Sequence, residues 1–123
     1  ETADLTVKLE NLKNKNGNLL VLVFDQAKGF PSDSKKAILS KSYSLSKTGE
    51  KFTLQLPKGK EYALSLVHDE NGNNELDTNF VGIPSEGWAT SNNPKTTLGP
   101  PSFSESRFAI TSSSKHLSVR INY

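Results

Sequence analysis

The sequence predicts an all-β fold: a seven-stranded antiparallel sandwich with Greek-key connections and one long loop after the fifth strand. Three observations carry that expectation. Leu, Val, Ile and Phe are gathered into short runs, most of which alternate with polar residues at period two. Turn-forming Gly, Pro and Asn punctuate those runs at intervals of roughly ten residues. No stretch sustains the apolar period of a core-facing helix.

The first strand is expected over residues 4–12, where Leu5, Val7 and Leu9 alternate with Thr6, Lys8 and Glu10. Asn16-Gly17 then turns the chain. Residues 19–24 are apolar throughout, which predicts a strand covered on both faces and inside a sheet, paired with the first strand as a hairpin. Gly29, Pro31 and a Ser-Asp-Ser-Lys-Lys run break the pattern over residues 25–37, predicting a loop with at most one short helix and with Phe30 plugging the end of the core. Residues 38–45 are rich in Ser and Lys, as in a strand that guards a sheet edge.

Phe52, Leu54 and Leu56 alternate with Thr53 and Gln55, and Pro57-Lys58-Gly59 leads into Tyr62, Leu64 and Leu66, which predicts a second hairpin. Regular patterning is then lost from residue 78 to residue 104, a loop long enough to be functional or stiffened by an ion. Residues 107–110 and 116–123 supply two closing strands. With no linker and no internal repeat, residues 1–123 are expected to form a single domain.

Composition narrows the function classes. A chain of 123 residues can bury about two-thirds of the surface its unfolded form exposes, so a core is attainable despite an apolar fraction of 33%. The net charge of +2 is small and the lysines are scattered without interleaved aromatics, which argues against nucleic acid as a partner. Cysteine is absent, excluding disulfides and thiol chemistry. No apolar run approaches the ~20 residues of a membrane-spanning helix. Glu1 in place of an initiator Met fits a mature chain.

The sharpest feature is the stretch His68-Asp69-Glu70-Asn71-Gly72-Asn73-Asn74-Glu75-Leu76-Asp77. Asp69, Asn71, Asn73 and Asp77 offer side-chain oxygens at alternate positions and then four further on, with Glu75 giving a backbone carbonyl. Such an oxygen-only set suits a hard cation, and calcium is expected because a flexible loop of carboxylate, amide and carbonyl oxygens reaches six to eight ligands readily. Asn74 and Phe80 stand where a helix-loop-helix calcium hand would need Gly and Glu, so that motif is excluded. With two charged ligands the affinity should be weak, on the order of 10⁻⁴ M, a value matched to extracytoplasmic calcium. The alternative is an Asn-Gly turn with solvated acids.

In the long loop, Trp88 is followed by Ser91, Asn92 and Asn93, a set that could stack on a sugar face and bond its hydroxyls. The alternatives are a Trp lid over the open end of the sandwich and turn-forming Ser and Asn residues bonded to their own backbone. A triad from His68, Asp69 and a serine lacks any nucleophile-elbow context, and Glu70 and Glu86 read as solvated loop acids, so no enzyme is expected.

Taken together, His68 to Asn73, Leu76-Asp77-Thr78-Asn79-Phe80, Gly82-Ile83-Pro84, Glu86-Gly87, Ser91-Asn92-Asn93 and Gly99-Pro100-Pro101-Ser102-Phe103, preceded by Val23-Phe24-Asp25 and Gly29-Phe30-Pro31, resemble the signature of domain-of-unknown-function family 2141. The blocks span nearly the whole chain, and their order is specific. Two departures stand out: Asn74 where the family often has Gly, and Trp88-Ala89-Thr90 where it often has Tyr-Gly-Phe. The resemblance implies an exported bacterial domain with a transthyretin-like or immunoglobulin-like sandwich and no established activity. The resulting expectation is a non-enzymatic, extracytoplasmic, calcium-binding module, monomeric, that binds a glycan or another envelope component. A purely structural accessory domain stabilised by the ion is the second reading, and a hydrolase the third.

Overall fold

The structure, a computed structural model, describes residues 1–70, 87–95 and 101–123. Its strands are β1 (Thr2–Glu10), β2 (Asn18–Phe24), β3 (Leu39–Ser44), β4 (Lys51–Pro57), β5 (Lys60–Asp69), β6 (Gly87–Thr90), β7 (Phe108–Ile110) and β8 (Ser114–Arg120). One sheet has the order β4-β1-β8. The other runs β3-β2-β5-β6, with β7 also paired to β5. The fold is therefore an all-β sandwich, with eight strands among the described residues instead of seven; the extra one, β6, lies inside the stretch expected to be loop.

Two pairings depart from expectation. β1 and β2 lie in different sheets, as do β4 and β5, so neither sequence-adjacent pair forms a hairpin. β1 and β8 run parallel, with Thr6 opposite His116 and Val7 opposite Leu117. The physical reason lies in which faces each strand can bury. β1 and β4 alternate between buried residues and exposed ones, Thr6 alone being half-buried, and they join β8 in a sheet with one wet face. β5 is buried at all its positions from Tyr62 to Asp69 and needs cover on both sides. Face chemistry therefore outweighs closeness in sequence when partners are chosen.

The central placement of the 19–24 strand is observed: β2 lies between β3 and β5, while the Ser- and Lys-rich β3 lies at the sheet edge. Leu5, Val7 and Leu9 of β1 meet Leu19, Val21 and Val23 of β2 and Leu64 and Leu66 of β5 in the core between the sheets. Alternation directs Leu20, Leu22 and Phe24 to the outer face. Phe30 packs there, edge-on to Phe24 at 5.2 Å between ring centroids and to Phe103 at 6.0 Å. Phe30 thus covers the outside of β2 instead of plugging the space between the sheets, which explains why this strand is apolar throughout.

Helix is confined, among the described residues, to single turns. A 3-10 turn at Ser34–Lys36 is capped by the Asp33 carboxylate, which accepts from the Lys35 N–H at 3.0 Å. α1 (Leu45–Thr48) links β3 to β4, and α2 (Phe103–Ser106) precedes β7. α2 starts with a capping box, in which the Ser102 hydroxyl accepts from the Glu105 N–H and the Glu105 carboxylate accepts from the Ser102 N–H.

Candidate functional site

β5 ends at the rim of the larger sheet, where His68 is paired with Gly87 and Asp69 with Asn18. Both His68 and Asp69 are fully buried. Alternation sends them to opposite faces: His68 toward the space between the sheets, Asp69 to the outer face beside Asn18 and Ser44. Gly17 allows this crowding. Its φ is 69°, and a Cβ there would overlap the Asp69 carbonyl oxygen, so the backbone of the β1–β2 connection can lie against the end of β5 only with glycine at this position.

His68 is fixed through both ring nitrogens. Nε2 lies 2.9 Å from the Asn16 carbonyl oxygen, which can only accept, so a neutral imidazole carries its proton on Nε2. Nδ1 is then the acceptor for the Tyr123 hydroxyl at 2.7 Å. The Tyr123 oxygen in turn accepts from the Lys13 N–H at 2.9 Å. Burial raises the Tyr123 pKa, the Lys13 N–H opposes that rise, and the Glu70 carboxylate adds to it. The Tyr123 ring also lies where a side chain at Gly87 would have to go. Tyr123 therefore touches both His68 near the end of β5 and Gly87 at the start of β6.

Glu70 turns toward the β1–β2 connection. Its carboxylate accepts from the Asn14 amide at 3.0 Å, and Lys13 Nζ stands 3.8 Å away. The Asn14 hydrogen bond is the main reason its pKa is lowered; burial opposes the shift, and the charge of Lys13 assists it. Of the expected calcium ligands, Asp69 is described and lies at the rim. Asn71, Asn73, Glu75 and Asp77 lie outside the described residues, as does Glu86. Among the described residues no group of three or more His, Cys, Asp or Glu side chains is gathered as a metal site.

The Trp88 group separates into two parts. Trp88 is half-buried on β6, opposite Val67 and so on the same outer face as Asp69. Its backbone exchanges two hydrogen bonds with Asn122, at 2.9 and 2.8 Å, which tie the edge of the larger sheet to the segment after β8. Ser91, by contrast, is fully buried. Its hydroxyl accepts from the Leu64 N–H at 3.0 Å and donates to the Ser106 carbonyl, while Ser106 donates to Thr90 at 3.0 Å.

These serine contacts have a structural logic. β6 covers the end of one β5 edge and β7 covers the beginning of the same edge, leaving a gap at Leu64 that Ser91 fills with backbone and side chain together. Asn92, with φ 70°, donates to the Arg107 carbonyl at 2.7 Å. Asn93, with φ 48°, donates to the Ser118 carbonyl at 3.1 Å and accepts from the Arg120 N–H at 2.8 Å. Its amide thus bonds the edge of β8 as a neighbouring strand would. The polar groups of Ser91, Asn92 and Asn93 are spent on distant backbone, not on their own turn, and Trp88 is the member left facing outward.

Tyr123 and Ser106 are not foreseeable from local patterning, because their roles arise from contacts between segments far apart in the chain. A family model described as an uncharacterized protein conserved in bacteria (DUF2141) matches residues 7–118. No curated protein and no solved structure matches the chain.

Proposed function

The chain belongs to the DUF2141 family of uncharacterized proteins conserved in bacteria, and on that premise we propose that it is a non-enzymatic, exported envelope module with a calcium-binding loop and a ligand surface around Trp88. The observation that carries this reading is the shared outer face of Asp69 and Trp88 on neighbouring strands of one sheet. An ion held by Asp69, Asn71, Asn73, the Glu75 carbonyl and Asp77 would stiffen the chain next to that face. Asp69 suits the part because a carboxylate removed from water requires strong polar or cationic company.

The non-enzymatic part of the reading is supported by His68, whose two nitrogens are engaged by Tyr123 and Asn16 and which faces away from Asp69. Export is supported by the weak affinity expected of a loop with two charged ligands, which matches extracytoplasmic calcium. A single domain with transthyretin-like or immunoglobulin-like Greek-key topology is the finer fold proposed. The ligand would be a glycan or another envelope component, met by the Trp88 ring.

Titration calorimetry with calcium, paired with thermal unfolding in calcium and in chelator, tests the reading. Heat of binding with one ion per chain and a higher melting temperature in calcium are expected. No heat and identical melting would leave the acidic stretch a plain turn. The second reading, an ion-stabilised structural domain, is favoured if calcium binds but Trp88 fluorescence is indifferent to every glycan offered.

A further inference from the structure

We propose that the outer face of the β4-β1-β8 sheet is a binding surface for an anionic polysaccharide, centred on Lys8 and Lys51. The proposal rests on a different sheet from the calcium and Trp88 reading and stands independently of it. The face is laid out by the strand registers. Asp4 lies between Gln55 and Ser114, Thr6 between Thr53 and His116, Lys8 between Lys51 and Ser118, and Glu10 beside Arg120. Apart from the half-buried Thr6, these residues are exposed.

Two of these rows are internally matched. Asp4 accepts from the Gln55 amide at 3.3 Å, and Glu10 stands opposite Arg120. The Thr6 and Thr53 hydroxyls are bonded to each other at 3.2 Å. The Lys8 and Lys51 row is the exception, because two like charges directly opposite each other on a sheet face destabilise the pair. Among the described residues no ion pair joins either lysine to a carboxylate. A repulsive pair in the middle of an otherwise balanced face is explained if an anion sits between the two ammonium groups.

The surroundings indicate which anion. Thr53, Ser114, Ser118 and Gln55 offer neutral donors and acceptors beside the charges, which suits a chain carrying many hydroxyls and spaced carboxylates. No Phe, Tyr or Trp side chain lies at these register positions to stack a nucleobase, the imidazole of His116 being the one ring among them, and no large apolar side chain lies there to enter a lipid surface. The open face of the three strands, with its exposed polar rows, fits an extended polymer lying across them.

Native gel electrophoresis of the whole chain through gels containing polygalacturonate, neutral dextran, single-stranded DNA or anionic lipid vesicles tests this. Polygalacturonate should retard the wild type and dextran should not. Retardation should fall at least tenfold in apparent affinity for Lys8→Gln/Lys51→Gln and stay within twofold for Lys28→Gln/Lys36→Gln, which removes the same charge elsewhere. Lys8→Glu should also lose binding while melting at the same temperature or higher, since it replaces repulsion with attraction. No retardation, equal loss in both double variants, or stronger retention by DNA or vesicles than by polygalacturonate would each overturn the proposal.

Discussion

The Tyr123 hydroxyl lies 2.7 Å from Nδ1 of His68, joining residues 55 positions apart at the rim of the larger sheet. Tyr123→Phe keeps the ring against Gly87 but leaves the fully buried His68 without its donor. A buried polar atom stripped of its partner costs about 1–3 kcal/mol. Denaturant unfolding should therefore show a clear loss of stability with an unchanged slope. An unaltered midpoint would mean that water takes over the hydroxyl's role.

Calcium should stabilise the fold through Asp69. At about a hundred times its dissociation constant the ion adds roughly 2.7 kcal/mol, if the unfolded chain does not bind it. Asp69→Ala should abolish most of the calcium-dependent rise in melting temperature. Glu70→Ala should retain it, because the Glu70 carboxylate is engaged by Asn14 on the other side of the strand end. Equal calcium shifts in wild type and Asp69→Ala would remove Asp69 from the ligand set.

Trp88 and Ser91 should behave as opposites although they are three residues apart. For Trp88→Ala, ligand affinity should fall by about 1–3 kcal/mol, as for an aromatic anchor of an interface, while folding survives. For Ser91→Ala the loss should appear in stability, again about 1–3 kcal/mol, because the Leu64 N–H loses its acceptor in a buried setting. Parallel glycan titrations and melts of the two variants separate these outcomes.

The α2 capping box should respond to acid. The Ser102 backbone N–H, assisted by its hydroxyl, lowers the Glu105 pKa. A carboxyl depressed in the folded state contributes stability that is complete above its unfolded pKa and lost as pH falls through the folded one. The Ser102 amide resonance should therefore titrate with a midpoint below that of an ordinary glutamate, near 4.3. Glu105→Gln should flatten this titration, and a midpoint at or above the ordinary value would contradict the geometry.

Much of the fold was legible in individual runs. The strict alternation around Val7 identified β1, the unbroken apolarity of residues 19–24 identified a strand inside a sheet, and Ser40, Lys41 and Ser42 marked an edge. Pairing was not legible. Asn16-Gly17 and Pro57-Lys58-Gly59 both look like hairpin turns, yet each carries the chain from one sheet to the other, because a local turn signal does not say which partner will bury a strand's second face. β6 escaped notice because Gly87-Trp88-Ala89-Thr90 is too short to establish a period. Asp69 at a strand end was readable, whereas the burial of Ser91 and the reach of Asn93 to the edge of β8 depend on Leu64, Ser106 and Ser118, which only folding brings near.

The Asn93 amide that bonds Ser118 and Arg120 also bears on how copies of this protein meet in solution. A sheet edge with free backbone donors and acceptors is a template for polymerisation, strand adding to strand from one molecule to the next. At β8 a side chain occupies part of that template. The three-stranded sheet is thereby shielded on one side from runaway stacking at high concentration, and β3 on the opposing sheet is guarded in a second way, by the charge of Lys41 and the hydrophilic serines around it.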